Sequence, residues 1–199
     1  MRHRKTSLLL VALFFGCATT PVGSLASAGI RNFHDVDMAL SRGAQPSEAG
    51  VQALARRHTA IIVDLRPESE DPRAFNSEKA AANASSIEFK NFPLSNWLAP
   101  RAETVREVLR VLESATPAQS VFVHCQRGAD RTGTIIAIYR IEHDCKTATE
   151  AIREAYEDGM GWWQFPMRHF IRKWYAASQR QTCSPRVALA RRGLTPARD

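Results

Sequence analysis

Short apolar runs alternate with segments of helical periodicity along most of the chain. A short apolar run with β-branched residues predicts a buried strand at 60–65. A second strand is predicted at 87–92 and a third, also β-branched, at 120–123. Helical spacing of apolar residues predicts helices at 46–57 and 102–113, and a capping box at Thr147–Glu150 opens another at 147–157. Further helices are predicted at 77–84, 132–142 and 166–178. Strands that alternate with helices favour an α/β fold, in which helices flank a central, mostly parallel sheet of four to five strands.

Polar segments separate these predicted elements. The segment 66–73 contains two prolines and predicts a loop, and 93–100 predicts a second loop. The segment 29–45 predicts an extended arm or a short strand. At the end of the first buried strand, Asp64 and Arg66 are expected to form a structural pair.

The first 28 residues have the layout of a secretory signal peptide. A positively charged start precedes an apolar run at 7–15 that is too short to span a bilayer, and Ala26–Ala28 forms an A-x-A cleavage signal. Phe14–Cys17 resembles a bacterial lipobox, so lipidation of Cys17 is a second route. We therefore expect a bacterial protein that is exported to the periplasm or secreted, or alternatively a lipoprotein anchored to a membrane, with no transmembrane span after signal removal.

The remaining sequence fits one domain, residues 29–179, with a basic tail at 180–199 that we expect to be disordered. The formal net charge of +7 favours anionic partners, although arginines scattered over solvated faces explain most of it. Only the tail's arginines would favour nucleic acid, so we expect no nucleic-acid partner, and we expect a monomer. After export, Cys145 and Cys183 either form a disulfide or remain two separate thiols.

The run His124–Gly133, HCQRGADRTG, contains the candidate chemistry. It lies between a predicted strand and a predicted helix. A loop at a helix N-terminus offers a phosphate dianion several backbone N–H groups and the positive end of the helix dipole. Arg131 can hold two phosphate oxygens through its planar guanidinium. Because the same field stabilises a thiolate, we expect a lowered pKa for the candidate nucleophile, Cys125.

The other residues of the run have supporting roles. Gly128 permits a backbone geometry that a β-carbon would obstruct. Thr132 can donate its hydroxyl to the thiolate and help to release it, and Gly133 lets the helix begin close to the strand. His124 either braces the loop or is an ordinary core histidine, and Arg127 either is a solvated loop residue or contacts a polyanionic head group. The candidate phosphate-binding residues are Gln126, Arg127, Gly128, Ala129, Asp130 and Arg131.

This motif resembles that of the protein tyrosine phosphatase superfamily. From about Asn32 to Phe170 the chain is similar to small bacterial dual-specificity-like phosphatases, with further matching segments at 32–46, 61–66 and 92–94. The resemblance implies a fold of the cysteine-phosphatase type. It also implies that the enzyme forms a phosphocysteine and then hydrolyses it, without a metal or another cofactor, on phosphotyrosine or phosphoserine/threonine in a protein substrate.

The general acid of that family is missing from its usual place. The family has an aspartate roughly thirty residues before the cysteine, where it protonates the leaving oxygen and later activates water. Here the segment 93–100 contains no acidic residue. The first candidate is Asp130, inside the loop. If Asp130 is not the acid, it is either an exposed residue or one that tunes Arg131. Glu103 is the second, unless it is simply a first-turn helix acid, and Asp71 is the third.

Two other functions remain open. A phosphoinositide or inositol-phosphate phosphatase is favoured by Arg127, by Asp130 within the loop and by the basic charge. A phosphate-binding pseudo-phosphatase module, which binds ligands without turnover, is suggested by the missing acid. The aromatic stretch 159–165 either packs in the core, which we prefer, or lines the rim of the pocket.

Overall fold

A five-stranded sheet forms the centre of the protein. The computed structural model describes residues 28–178. The strands follow each other along the chain as β1 (His34–Asp35), β2 (Leu40–Ala44), β3 (Thr59–Asp64), β4 (Glu88–Asn91) and β5 (Ser120–Cys125). Their order across the sheet is β1-β2-β5-β3-β4. Only β1 and β2 are antiparallel, and the other neighbours are parallel. The predicted mostly parallel sheet is therefore confirmed.

Helices cover both faces of the sheet. They are α1 (Glu48–Arg56), α2 (Pro72–Ala84), α3 (Ala102–Glu113), α4 (Asp130–Asp144), α5 (Ala148–Glu157) and α6 (Phe165–Ser178). Successive strand residues point to opposite faces. Accordingly Ile62 and Phe122 pack with α1 and α2, whereas Val121 and Val123 pack with the helices of the other face. The strand β5 and the helix α4 that follows it are thus buried at the centre of the molecule.

The predicted loop at 66–73 is partly helical, which corrects the prediction. A short 3-10 helix spans Glu68–Glu70, and α2 begins at Pro72 rather than at residue 77. Proline is favoured at the first position of a helix, where its missing N–H is not needed. The Asp71 carboxylate caps this helix by accepting the Ala74 N–H at 3.0 Å. The two prolines therefore mark a helix start as well as a loop.

Several predictions fall on residues outside 28–178. These are nearly all of the signal peptide, lipidation of Cys17 and disorder of the basic tail. Cys145, which ends α4, is disulfide-bonded. Its predicted partner Cys183 lies outside the described residues, so that pairing stays a prediction. Within 28–178, no helix is both long enough and apolar enough to cross a membrane.

Candidate active site

The predicted phosphate loop, residues 125–131, connects β5 to α4 and includes the first residues of that helix. Because β5 is parallel to β2 and β3, the loop emerges at the carboxyl edge of the sheet, where ligands bind in open α/β folds. Gly128 has a φ of 71°, and a Cβ there would lie 2.4 Å from the backbone of Gly43. The loop thus requires glycine at this position, both for its left-handed backbone and for its close approach to β2.

Cys125 ends β5 and is 3% exposed. Burial opposes ionisation of its thiol, but the Arg131 charge, the Thr132 hydroxyl and the backbone N–H groups of Thr132 and Arg127 act in the other direction. Together they hold the pKa of Cys125 below its ordinary value. Thr132 Oγ1 is buried and has no other hydrogen-bond partner in the described part of the chain, so it is available to the thiolate.

Arg131 is oriented by a residue that the sequence analysis missed. Its Nη1 and Nη2 donate to Glu70 Oε1 and Oε2 at 2.6 and 3.1 Å, and Nη1 lies 3.4 Å from the Leu94 carbonyl oxygen. Its Nε is buried and, among residues 28–178, has no hydrogen-bond partner. One edge of the guanidinium is therefore fixed, while the Nε edge remains available for an anion. An acidic residue within the loop after β3 was the only sequence signal for Glu70.

Asp130 is the first residue of α4 and is buried. Its Oδ1 accepts the Gly161 N–H at 2.8 Å, and its Oδ2 is paired with Arg127. The residue is buried, so the alternative of an exposed residue was wrong. Neither of the two contacts is to Arg131, and a tuning role toward that residue stays a prediction. The carboxylate instead connects the phosphate loop to the segment between α5 and α6.

The other two candidate acids make contacts local to their own helices. Glu103 lies exposed in the first turn of α3, where its carboxylate is 3.5 Å from Arg106. Asp71 is exposed and caps α2. The structure therefore brings Asp130, but neither of these two, into contact with the loop.

A buried group of charges lies behind the nucleophile. His124 Nε2 is 2.7 Å from Glu78 Oε1, without the alignment of a regular hydrogen bond, and His124 Nδ1 is 3.9 Å from Asp64 Oδ1. Burial lowers the pKa of His124, but the two carboxylates outweigh burial and raise it to about 9. The raised pKa and the 2.7 Å separation together indicate a buried imidazolium–carboxylate pair between His124 and Glu78. With Asp64, these residues also have the spacing of a possible metal-ligand group.

His124 is fully buried and also contacts the backbone at the start of the loop. Its Nδ1 lies 3.4 Å from the Cys125 carbonyl oxygen, in a weak version of the predicted bracing contact. Asp64 Oδ1 also accepts the Arg66 backbone N–H at 2.8 Å and lies 4.0 Å from Arg66 Nε, so the structural pair predicted for these two residues is present. The group therefore connects the ends of β3 and β5 directly beneath the phosphate loop.

The Gly128 carbonyl is held by two residues from the start of the chain. Asn32 Nδ2 donates to it at 3.1 Å and to the Asp158 carbonyl oxygen at 2.9 Å. The buried Arg42 donates to the same Gly128 oxygen and, at 2.6 Å, to Asp158 Oδ2. Sequence reasoning did not place these residues at the site, because their partners lie far away along the chain.

We predicted that the aromatic stretch 159–165 packs in the core, and for its aromatic rings this prediction was wrong. Trp162 is 68% exposed, and Trp163 and Phe165 are also exposed. Met160 and Gln164 of the same stretch are buried. Gln164 Nε2 donates to the Asn96 carbonyl oxygen at 3.1 Å and so connects this stretch to the loop at 93–100. The exposed rings are consistent with the alternative interpretation, a rim beside the site.

The sequence matches a family model and two curated proteins. A family model described as DSP-PTPase phosphatase fused to NAD+ kinase matches residues 18–169. A probable NAD kinase 2, chloroplastic, from Oryza sativa subsp. japonica is 29% identical over 107 residues, which are 53% of this chain and 11% of that protein. The dual specificity protein phosphatase CDC14C of Symphalangus syndactylus is 28% identical over 105 residues, 53% of this chain and 20% of that protein. The chain thus matches only a small part of either relative.

The fold is also that of a solved phosphatase. The core catalytic domain of the PP-IP phosphatase SIW14 from S. cerevisiae superimposes with a TM-score of 0.64 at 19% sequence identity. The match covers 81% of this chain and 96% of that one. The expected cysteine-phosphatase fold is therefore confirmed.

Proposed function

We propose that this chain, which belongs to the DSP-PTPase phosphatase family, hydrolyses phosphomonoesters with Cys125 as the nucleophile. Membership of that family confirms the resemblance that the motif indicated. The proposal rests above all on the thiol of Cys125, which ends β5 and faces Arg131 and the N–H groups of Arg127 and Thr132, so that its pKa is lowered. A thiolate in such a field is both a strong nucleophile and a good leaving group.

In the proposed first step, the Cys125 thiolate attacks phosphorus and the bond to the leaving oxygen breaks. The Nε edge of Arg131 and the loop N–H groups hold the phosphoryl oxygens, whose charge they stabilise in the transition state. The product is a phosphocysteine and an alcohol, whose oxygen takes up a proton. In the second step water attacks the phosphocysteine, phosphate leaves, and the Thr132 hydroxyl donates to the departing thiolate.

For the proton transfers we propose Asp130, which is the candidate acid that contacts the loop. Its Oδ2 is paired with Arg127, whose side chain is 52% exposed, so an outward movement of Arg127 would free the carboxyl group. The test is the dependence of kcat on pH. Asp130→Asn should lose the basic limb of the profile, whereas Glu103→Gln should keep it. A lost basic limb in Glu103→Gln would assign the acid to Glu103 instead.

Hydrolysis of an activated aryl phosphate tests the nucleophile. We expect turnover by the wild type and a decrease of at least about a thousandfold for Cys125→Ser. Equal rates for the two proteins would contradict the proposal. An inactive wild type that still binds phosphate would favour the pseudo-phosphatase module instead.

For the substrate we propose first phosphotyrosine or phosphoserine/threonine in a protein, since a curated relative is named a dual specificity protein phosphatase. A phosphoinositide or inositol phosphate is the second candidate. It is supported by the half-exposed Arg127 in the loop and by similarity to a protein named a PP-IP phosphatase. Values of kcat/KM for a panel of phosphopeptides and phosphoinositides would distinguish the two classes.

A further inference from the structure

Exposed apolar side chains are concentrated beside the candidate active site. Single exposed apolar residues are normal, but a concentration of them marks an interaction surface. Among residues 28–178, Met38 is exposed far from the site, and all the other large exposed apolar residues come from the loop after β4 and from the region around the α5–α6 connection. We call these the aromatic rim: Trp97, Leu98, Tyr156, Trp162, Trp163 and Phe165.

Hydrogen bonds attach both sides of the rim to the phosphate loop. On one side, the Leu94 carbonyl oxygen lies 3.4 Å from Arg131 Nη1, and Trp97 follows shortly after. On the other side, the Gly161 N–H donates to Asp130 at 2.8 Å, and Trp162 is the next residue. The bond from Gln164 to the Asn96 carbonyl oxygen joins the two sides. The rim therefore flanks the opening through which a phosphate would enter.

The rim rings contact each other at the surface rather than the core. The Trp162 ring centroid is 5.9 Å from that of Trp163 and 6.4 Å from that of Phe165, both edge to face. The Arg168 guanidinium lies 4.5 Å from the Phe165 ring centroid and donates to the Trp162 carbonyl oxygen at 2.9 Å. This cluster exposes aromatic area that water solvates poorly, together with a cation.

The charges around the rim are mixed with an excess of cations. Arg101 follows Leu98 closely, Arg127 is exposed in the phosphate loop, and Arg168 contacts Phe165. Most acidic side chains nearby are already paired: Glu70 with Arg131, Asp130 with Arg127, Asp158 with Arg42, and Glu103 within α3. Glu157 lies at the end of α5. Tryptophan beside arginine is the combination that binds the interface of an anionic membrane.

We propose that the aromatic rim docks the protein on an anionic phospholipid surface, so that the phosphate loop faces the lipid headgroups. The rings would lie at the boundary between headgroups and acyl chains, and the arginines would contact lipid phosphates. The inference rests on the proposed function in one respect, since it places a phosphatase site at that surface. A lipid anchor at Cys17, as the sequence allows, would hold the chain near such a membrane.

A protein partner is the main alternative, because tryptophan and arginine are also enriched at the centres of protein interfaces. We favour lipid because the rim residues stand on separate segments and include three tryptophans, Trp97, Trp162 and Trp163. Arg168 contacts the rim directly at Phe165 and Trp162. Lipid headgroups adapt to such an arrangement without needing a matching partner surface.

The test is co-sedimentation of the full chain with vesicles of phosphatidylcholine, alone or with about one fifth phosphatidylglycerol. We expect binding to the anionic vesicles, weakened about tenfold by each of Trp97→Ala and Trp162→Ala. Met38→Ala is the matched control. Met38 is 82% exposed and lies just before Leu40, which pairs with the start of β5 at the opposite end of the sheet from the loop. It should bind like the wild type.

Failure of docking and failure of catalysis are separable in this design. Turnover of aryl phosphate without any vesicle binding would overturn the docking proposal and leave the phosphatase intact, whereas binding without turnover would do the reverse. Equal binding by the wild type and the Trp97→Ala/Trp162→Ala double variant would also overturn docking. The docking proposal would also be overturned if the double variant lost kcat/KM for phosphopeptides while its vesicle binding stayed unchanged. That result would assign the rim to a protein partner.

Discussion

Arg131 illustrates how one residue depends on a distant one. Its buried guanidinium has two donors fixed by the carboxylate of Glu70, which is 61 residues away in the sequence. A charged, two-point contact of this kind sets both the position and the plane of the guanidinium. Glu70 is thus a positioning residue, since it would act on the phosphate only through Arg131.

Replacing Glu70 by Gln should lower kcat/KM for aryl phosphate about tenfold, because Arg131 would lose a charge-assisted contact. Such a contact contributes about 1–2 kcal/mol, and about 1.4 kcal/mol corresponds to a tenfold change in rate. The loss should appear equally for good and poor leaving groups, since proton transfer is unaffected. The control is Glu68→Gln, an exposed residue on the same 3-10 helix. An effect confined to poor leaving groups would instead identify Glu70 as the acid.

The charge on His124 predicts how stability depends on pH. Its pKa in the folded protein is about 9, above the ordinary value of 6.5. The stabilisation from the raised pKa is therefore complete below pH 6.5 and is lost as the pH rises through 9, by at most about 3 kcal/mol. Urea unfolding of the wild type across this range should show the decrease.

Glu78→Gln should remove much of that dependence, because one of the two carboxylates that hold His124 charged is gone. The less charged histidine should in turn raise the pKa of Cys125, which lies next to it. Alkylation of Cys125 by iodoacetamide measures that pKa directly, and its midpoint should move to higher pH. The exposed Glu88→Gln on β4 is the control. An unchanged midpoint in Glu78→Gln would show that His124 does not influence the thiol.

Residues that act within one short segment could be predicted, and those that act across the chain could not. Cys125, Arg131 and Thr132 lie within one loop and its helix, so their chemistry and spacing are visible together in the sequence. Glu70 and Glu78 are ordinary acidic residues in polar and helical stretches. Only the folding of β3 beside β5 gives them partners.

At the scale of elements, the strand–loop–helix unit has little tolerance for change in the loop. Gly128 approaches the backbone of Gly43 on β2, and an added Cβ would meet its carbonyl group at 2.4 Å. Gly159, which follows α5, also has a positive φ, of 92°, but its added Cβ would find its nearest neighbour at 3.7 Å. Substitution of Gly128 therefore tests steric overlap together with backbone strain, whereas substitution of Gly159 tests backbone strain alone.

Gly128→Ala should cost about 2 kcal/mol or more of folding free energy and should weaken phosphate binding, because either the loop or β2 must move. Gly159→Ala should cost about 1 kcal/mol, from backbone strain alone, and should leave phosphate binding unchanged. Chemical denaturation and calorimetric titration with inorganic phosphate measure the two quantities. Equal costs for both variants would show that the close approach of the loop to β2 contributes nothing.

Periodicity predicted most of the elements, but the start of α2 shows where it fails. The first turns of α2 contain few apolar residues, so the helical pattern becomes visible only further along. Its true start depends on capping by Asp71 and on Pro72, two residues that are equally common in loops. Local pattern therefore identified the helix and misplaced its boundary.

At the scale of the whole molecule, the fold class followed from alternation of strands and helices, while the order of the strands did not. No feature of the sequence indicates that β5 lies between β2 and β3, yet this order brings the early residues Asn32 and Arg42 to the phosphate loop. The exposed aromatic rim was likewise misjudged, because an apolar stretch looks the same whether it is buried or reserved for a partner.

The ion pair between Arg42 and Asp158 connects β2 to the end of α5 beside the phosphate loop, and its two residues are 116 positions apart in the sequence. Arg42 is 1% exposed, so Asp158→Asn would leave a buried cation without its counter-charge, and it should destabilise the protein by about 3 kcal/mol. It should also weaken phosphate binding, because Arg42 holds the Gly128 carbonyl.

Asp35→Asn is the matched control, since it removes the same charge from an exposed ion pair. In that pair, between Asp35 and Arg57, the Asp35 side chain is 54% exposed and the Arg57 side chain 36% exposed. An exposed pair of this kind contributes less than about 1 kcal/mol and is screened by salt. Chemical denaturation of both variants, at low and at high salt, compares the two pairs directly. If Asp158→Asn cost no more than Asp35→Asn, the buried ion pair would contribute no more than an exposed one. The loop would then be held by its other contacts, among them that of Asn32 to the Gly128 carbonyl.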